Sequence, residues 1–199
     1  MIQFIVSGDT ASILIDACIA ALENACKWIR LDLSHLRENE VEPTVESIKE
    51  SCKSFDAILS VDNDVDAVKR LKVDGLHIGN TESASAAQAR KQLGEEIILG
   101  VTIDDASAVP FLPRTAVDYV EIDENVGATG VRNEIVKQMK ALGFDEPVVA
   151  RLKGIPTLQE VRAWGVDGIS LDSSTVNPAE LKDLILRLES LAQERINDL

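Results

Sequence analysis

The sequence predicts an α/β protein, a single-domain (β/α)8 barrel of the TIM type that spans residues 1–199. Eight short apolar runs occur along the chain, and each is followed by a helical or helix-compatible stretch. One phrase recurs roughly every 45 to 50 residues, about two β-α units apart, at Val73–Ile78, Val117–Ile122 and Val166–Leu171. No linker or low-complexity tract divides the chain, so eight units in one series favour a closed barrel over a doubly wound open sheet.

The strands are predicted from runs rich in Val, Ile and Leu, which are typical of parallel strands buried on both faces. In chain order they are roughly Gln3–Ser7, Trp28–Leu33, Ala57–Val61, Gly75–Ile78, Ile97–Thr102, Tyr119–Ile122, Pro147–Arg151 and Gly168–Leu171. The repeated phrase indicates the tight turn from a helix into such a strand, and its Gly allows close packing of the backbone.

The helices are predicted from capping residues at their starts and from helix breakers at their ends. The first three are Ala11–Ala25 capped by Thr10, a helix with Pro43 near its first turn that ends near Cys52, and Val65–Leu71 capped by Asp64. An alanine-rich helix is opened by Ser83 or Ser85 and closed by Gly94, and Gly130–Leu142 is ended by Gly143. The last two are Leu158–Trp164 capped by Thr157 and a helix from Asn177-Pro178 to about Asn197. Between Asp104 and Pro113, two prolines leave room only for a short or distorted helix.

The composition excludes several classes of partner. The formal charge is −14 and there is no run of Lys or Arg, which disfavours nucleic acid and anionic lipid. The longest apolar stretches have the length of strands, so we expect no membrane span. Cys18, Cys26 and Cys52 lack the spacing of metal or redox motifs and are expected to be buried, reduced thiols. A cytoplasmic location is the expectation.

Polar residues collect where the predicted strands end, which is where a barrel of this type carries its chemistry. They are Asp32, Ser34, Asp62, Asn63, Asp64, Asn80, Glu82, Thr102, Asp104, Asp105, Asp123, Glu124, Asn125, Arg151, Lys153, Asp172, Ser173 and Ser174. Oxygen ligands of this kind suit Mg²⁺. Asp and Asn are also the usual caps where a strand leads into a helix, so each one alone also fits a capping role.

The cations of this rim are few. Arg30 and Asp32 share one face of the second strand, so they could pair inside the barrel, and the alternative is that Arg30 binds an anion. The loop at Lys153-Gly154, with Ser173 across from it, could present backbone N–H groups to a phosphate. His77 is expected to line the barrel rather than to act as a base.

From Trp28 to Ser173 the order of these phrases resembles the thiamine phosphate synthase family, which includes the thiazole tautomerase-like proteins. The phrases that carry the resemblance are Cys26–Leu31, Ala57–Asn63, Val73–Asn80, Leu99–Thr102, Val117–Val120, Pro147–Ala150 with Lys153–Ile155, and Gly165–Ile169. The most specific of them is Val73–Asn80, followed by the turn at Gly154-Ile155. The resemblance implies the barrel fold, a place in thiamine biosynthesis and a Mg²⁺-dependent transfer of a pyrimidine methyl pyrophosphate onto a thiazole phosphate, with release of pyrophosphate.

The resemblance also implies roles for residues of this chain. Arg30 and Thr102 stand at catalytic positions. The phosphate-binding positions are Lys153, Gly154, Ser173, Arg132 and Thr129, and the positions for the metal are Asp62, Asn63 and Glu82. The expected partner is a phosphorylated small molecule, and a homodimer is left open.

Several of these positions depart from the pattern of the family. The usual Gln-x-Arg-x-Lys series on the second strand reads Arg30, Asp32 and Ser34, so two cations that would neutralise pyrophosphate are missing. Asp62-Asn63 reverses the usual Asn-Asp order. Three hypotheses follow. The first is a synthase-like transferase with reduced or lost activity. The second is a non-catalytic binding or regulatory relative, whose acidic barrel mouth binds a cationic or neutral small molecule. The third is a different barrel reaction with a metal at the acidic rim, for which the sequence indicates no substrate.

Overall fold

The computed structural model describes residues 1–79, 83–112, 116–126 and 129–197. Eight parallel strands form a closed barrel in chain order, because each strand pairs with the next and β8 pairs with β1. The strands are β1 (Ile2–Val6), β2 (Trp28–Leu31), β3 (Ile58–Asp62), β4 (Gly75–Ile78), β5 (Ile98–Ile103), β6 (Tyr119–Ile122), β7 (Val148–Leu152) and β8 (Gly168–Asp172). The predicted barrel and its strand order are confirmed.

The helices surround the barrel and alternate with the strands. They are α1 (Ala11–Glu23), α2 (Glu38–Ser54), α3 (Val65–Leu71), α4 (Ser83–Leu93), α5 (Thr129–Ala141), α6 (Leu158–Trp164) and α7 (Leu181–Asn197), with 3-10 turns at Ala106–Phe111 and Pro178–Glu180. None of the helices in the described ranges is both long and apolar enough to cross a lipid bilayer.

One helix start was predicted wrongly. Pro43 lies inside α2 rather than near its first turn, since the helix already begins at Glu38. Glu38 and Glu40 place negative charge at the amino end of the helix dipole, which favours the earlier start. Other predicted caps are confirmed: Thr10 accepts a hydrogen bond from the backbone of Ile13, and Thr157 forms a capping box with Glu160.

The Asp of the repeated phrase joins neighbouring strands. Its carboxylate accepts the N–H at the start of the preceding strand, and its own N–H donates to the carbonyl of the same residue. The three pairs are Asp74 with Leu59, Asp118 with Leu99, and Asp167 with Val148. The phrase therefore marks the places where a strand enters the barrel and is fixed in register to its neighbour.

The apolar core lies mainly between the barrel and the surrounding helices. A second, small cluster fills the amino end of the barrel interior and contains Trp28, Tyr119 and Val149. Above it, toward the carboxyl ends of the strands, the interior is polar: Gln3, Arg30, Ser60, His77, Thr102, Glu121 and Ser170 are all buried. This polar interior forms the floor of the region where the sequence predicts the site.

Candidate active site

Loops at the carboxyl ends of the strands carry aspartates in a repeated arrangement. In each case the carboxylate accepts the backbone N–H two residues later, which stabilises the turn that leaves the strand. The pairs are Asp32 with Ser34, Asp105 with Ser107, Asp123 with Asn125, and Asp172 with Ser174. Asp64 caps α3 by accepting from the N–H of Ala67 at 2.7 Å. The capping interpretation is confirmed for Asp64 and Asp105, whereas Asp32, Asp123 and Asp172 stabilise turns of their loops. All five nevertheless leave the rim strongly negative.

Arg30 lies inside the barrel, and its side chain is only 1% exposed. Its guanidinium binds the fully buried Glu121 through two bonds, NH1 to Oε2 at 2.8 Å and NH2 to Oε1 at 3.3 Å. NH1 also donates to Oε1 of Gln3 at 2.8 Å, and Nε lies 3.0 Å from Oδ1 of Asp62. Arg30 therefore pairs with Asp62 and Glu121 rather than with Asp32.

The hydrogen bonds of His77 fix the direction of the donors around it. The hydroxyl of Thr102 donates its one hydrogen to Oε1 of Glu121 at 3.1 Å. Nε2 of His77 lies 2.7 Å from the Thr102 oxygen and must be the donor there, since that oxygen has no second hydrogen. Nδ1 of His77 then accepts from the hydroxyl of Tyr119 at 2.8 Å. Thr102 is committed to the interior network, and His77 is neutral.

The electrostatics of this network agree with that assignment. Burial and the positive Arg30 lower the pKa of His77 to about 3. Burial alone would raise the pKa of Glu121, but Arg30 and His77 outweigh it and lower that pKa to about 2. Burial, together with the charges of Glu121 and Asp32, raises the pKa of Asp62 to about 6 even though Arg30 opposes the change. Two carboxylates thus share one guanidinium, and the second carboxylate, Asp62, has excess negative charge around it.

Glu121 is a central member of this network that the sequence reasoning missed. It occupies the fifth position of the repeated phrase, where the other two copies carry His77 and Ser170. All three are polar residues in otherwise apolar runs, and all three are buried inside the barrel. A polar residue at one fixed position of a repeated buried strand is therefore the signal that could have identified this network.

The predicted metal set does not converge in the residues described. Oδ1 of Asp62 faces Arg30, and Oδ1 of Asn63 accepts the N–H of Gly79 at 2.8 Å. Glu82, the third member, lies outside the described residues. Across residues 1–79, 83–112, 116–126 and 129–197, no group of three or more His, Cys, Asp or Glu side chains is arranged to hold a metal ion. The described carboxylates thus do not fit a Mg²⁺ ion held by the protein alone.

The predicted phosphate-binding residues are mostly bound to other groups. The N–H of Ser173 donates to the carbonyl of Ile5, and its hydroxyl accepts the N–H of Ser7. Arg132 stacks on the ring of Trp164 at 5.0 Å and donates to the carbonyl of Glu124. The side chain of Thr129, at the start of α5, lies outside the described residues.

Lys153 and Gly154 remain closer to the predicted role. The side chain of Lys153 is 66% exposed, with its ammonium 3.5 Å from Glu124 and 3.3 Å from Asn125. A Cβ on Gly154 would meet no atom within 4 Å, so the backbone there is open to an approaching group. The neighbouring cation of the rim, Arg151, is bound by Asp172 at 3.3 Å. Phosphate would thus compete with carboxylates for the cations at this edge.

A cavity of about 650 Å³ opens beside the barrel mouth, between the loops that follow β2 and β3. Its charged lining consists of Asp32, Glu38, Asp62, Asp64, Asp66 and Arg70. Asp62 belongs both to this wall and to the interior network, since its other neighbour is Arg30. Five carboxylates against one guanidinium make the cavity unfavourable for an anion and favourable for a cation.

Comparisons with a family model, with relatives in sequence and with solved structures give consistent results. The family model for thiamine monophosphate synthase matches residues 2–142. The thiamine-phosphate synthase of Bacteroides thetaiotaomicron is 34% identical over 194 residues, which cover 90% of each chain. That of Bacteroides fragilis is 31% identical, over 94% of this chain and 98% of the relative. In structure, the chain is similar to the thiamine phosphate pyrophosphorylase from Pyrococcus furiosus, with a TM-score of 0.77, 19% identity, and coverage of 94% of this chain and 95% of the other.

Proposed function

This chain belongs to the thiamine monophosphate synthase family, and we propose that it is a thiamine-phosphate-synthase-like protein of thiamine biosynthesis in which the transfer reaction is strongly slowed. The reaction joins a pyrimidine methyl pyrophosphate to a thiazole phosphate and releases pyrophosphate. Because negative charge develops on the leaving pyrophosphate, the rate depends on cations that are aimed at it.

The position of Arg30 is the observation that carries the slowed rate. Arg30 is the only cation at the three strand-2 positions that the family uses for pyrophosphate, because it stands at the usual glutamine position while Asp32 and Ser34 replace the usual Arg and Lys. Its guanidinium is buried and bound by Glu121, Asp62 and Gln3. A group in this state has little attraction left for a leaving anion, and removing one such stabilising group commonly costs about a hundredfold to a thousandfold in rate.

Support for retained substrate binding comes from the opposite side of the mouth. Lys153 is largely exposed, and the backbone at Gly154 is unobstructed. These two residues are our candidates for holding the phosphate of the thiazole substrate. Arg132, Thr129 and Ser173 would contribute only after a change in the contacts that now occupy them, or through groups not described.

We propose that Mg²⁺ binds together with the substrates rather than at a site formed by the protein alone. The described carboxylates do not form a metal site, but a pyrophosphate brings its own oxygen ligands, and Mg²⁺ is usually bound by substrate phosphates plus one or two carboxylates. Glu82 and Asp62 are the candidates for those carboxylates.

We also place the protein in the cytoplasm, which suits three buried free cysteines, and a homodimer remains a prediction.

The test is the formation of thiamine phosphate from the two precursors in the presence of Mg²⁺. The relative from Bacteroides thetaiotaomicron, assayed in parallel, is the matched control. We expect kcat/KM at least about a thousandfold below that of the control. A rate within tenfold of the control would show that the chain has rebuilt its pyrophosphate site, and the proposed slow transfer would be wrong.

The acidic cavity favours a second candidate function. Its five carboxylates and one guanidinium suit a cationic or neutral small molecule, bound without turnover. The measurement is calorimetric titration with thiamine, which is cationic, against its anionic phosphate esters. This candidate requires thiamine to bind more tightly than thiamine phosphate, and more weakly as salt is added. Equal or reversed affinities would eliminate it.

A further inference from the structure

The Arg30–Glu121 pair turns both terminal nitrogens of Arg30 toward buried acceptors, while Nε faces Asp62 at 3.0 Å as an ion pair without a hydrogen bond. The two side chains meet through parallel bonds at 2.8 Å and 3.3 Å, an arrangement that gives arginine–carboxylate pairs both strength and a fixed orientation. Glu121 is fully buried and also accepts the hydroxyl of Thr102. Its carboxylate is therefore held in place from a second side and cannot follow Arg30 elsewhere.

The link between this pair and the mouth is Asp62. Its side chain is 15% exposed, lines the 650 Å³ cavity and lies 3.0 Å from Nε of Arg30. The guanidinium is therefore only one side chain below the floor of the cavity. Arginine has a long and flexible stem, so the depth of Arg30 alone does not keep its guanidinium from the mouth.

The charges around Arg30 indicate what keeps its guanidinium away from the mouth. With Glu121 present, Arg30 faces two carboxylates and the group as a whole carries excess negative charge. Without the charge of Glu121, Arg30 and Asp62 would balance, and the NH1 and NH2 donors would need new acceptors. Leaving buried donors unpaired is costly, so a phosphate oxygen that entered the cavity would be attracted to them.

We propose that Glu121 is a specificity-determining residue. It is a positioning residue that holds Arg30 inside the barrel and so lowers the affinity of the mouth for pyrophosphate. The inference rests on the proposed function, because it names the residue responsible for the slowed transfer. It assigns to β6 a role that the other strands do not share, since Glu121 supplies the carboxylate that occupies both terminal nitrogens of Arg30.

The first test is calorimetric titration of inorganic pyrophosphate, with Mg²⁺, into the Glu121→Gln variant. Glutamine keeps the size of the side chain and an acceptor for Thr102, but removes the charge. We expect the affinity for pyrophosphate to rise at least about tenfold over that of the wild type. The double variant Arg30→Gln with Glu121→Gln should lose that gain, because the cation is then absent.

A control separates the position of Arg30 from general acidity. Asp66→Asn removes one negative charge from the wall of the same cavity without contacting Arg30. We expect it to raise the affinity far less than Glu121→Gln does. The proposal is overturned if folded Glu121→Gln binds no better than the wild type, if the double variant keeps the gain, or if Asp66→Asn matches the gain.

A second test uses the wild-type protein and so does not depend on the folding of a variant. The Nε–H resonance of Arg30 can be followed by nuclear magnetic resonance while pyrophosphate and Mg²⁺ are added. The proposal requires this resonance to stay in place, and a saturating shift would overturn it. Neither test measures turnover, so a failure here leaves the transfer assay to decide the proposed function independently.

Discussion

Arg30, Glu121 and Asp62 place three charged groups in and beside the centre of a barrel whose interior is otherwise closed by neutral hydrogen bonds. A buried ion pair of this kind contributes little net stability compared with apolar packing, because both charges lose their water. It does fix orientation, since each of its members has only one set of partners within reach. In this barrel the orientation that it fixes is that of the one strand-2 cation.

Asp62 makes the stability of the protein depend on pH in a direction opposite to that of most carboxylates. Its pKa is raised from 3.8 to about 6 in the folded state, so the folded protein binds the extra proton between these values. Its contribution is present below pH 4 and is lost as the pH rises through 6. This rise in the pKa of Asp62 corresponds to about 3 kcal/mol in the free energy of unfolding.

The variant Asp62→Asn tests this dependence. Asparagine does not titrate, so the free energy of unfolding of the variant, relative to that of the wild type, should increase by about 3 kcal/mol between pH 4 and pH 7. Urea denaturation at a series of pH values measures the difference. Parallel curves for the two proteins would mean that Asp62 is not desolvated as described.

The inward orientation of the Arg30 side chain could be predicted from the sequence, but its partners could not. The period of two along a strand placed it inward, together with Asp32 as a candidate partner. Two such residues on one strand are about 6.6 Å apart along it, whereas residues of other strands can meet across the interior. Which strands supply the partners depends on register and on the shear of the closed barrel, and a single sequence does not state these.

Among the elements, the loops after the strands were the most predictable part of the site. Asp and Asn at these points indicated caps, and Asp64 and Asp105 do cap helical segments. Asp32, Asp123 and Asp172 instead bind the backbone of their own loops. The same residues also indicated a metal site, and composition alone could not separate the two. Hydrogen-bond geometry does separate them, because a carboxylate oxygen that is bound to its own loop is oriented by that loop.

The capping role of Asp64 gives a prediction with a matched control in the first turn of the same helix, at Asp66. Asp64→Ala removes the bond to the N–H of Ala67 and should lower the free energy of unfolding by about 1 kcal/mol. Asp66→Ala removes the same charge from the same helix and cavity wall, but not the cap, and should cost clearly less. Chemical denaturation of both variants provides the measurement, and equal losses would show that charge rather than capping is responsible.

The junction of β5 and β6 depends on one glycine. A Cβ on Gly100 would lie 2.0 Å from Cζ of the Tyr119 ring, so alanine there would displace the ring whose hydroxyl donates to His77. We expect Gly100→Ala to destabilise the protein by roughly 3 kcal/mol or to prevent folding. Gly154→Ala is the control, since its new methyl group would meet nothing within 4 Å. Thermal denaturation of the two variants compares them, and similar melting temperatures would contradict the described packing of Tyr119.

For the whole molecule, the repeat and the count of strand runs were sufficient to predict the closed barrel. The reason is physical: a parallel strand followed by a helix has few ways to continue, and eight such units in series close on themselves. The polar interior was predicted only in part, at His77 and Arg30. Glu121 and Ser170 were missed because each stands alone in an apolar run, and they form a group with His77 only when β4, β6 and β8 face one another.

The barrel thus combines the architecture of its family with a cavity at its mouth lined by five carboxylates and one guanidinium. The cations that the sequence placed at the rim are either buried, as Arg30 is, or bound by carboxylates, as Arg151 is. Lys153 also lies 3.5 Å from the carboxylate of Glu124, but its side chain is 66% exposed and so remains the most accessible of these cations. Affinity for a highly charged anion should therefore be low even where the shape of the site is retained.

Titration of inorganic pyrophosphate into the wild-type protein, with and without Mg²⁺, tests this central claim most directly. The described charges predict no binding tighter than about 1 mM under either condition, because Arg30, Arg151 and Lys153 each already have a carboxylate partner. Micromolar, Mg²⁺-dependent binding would contradict the account, since it would require cations aimed at the mouth that the pairing of Arg30 and Arg151 excludes.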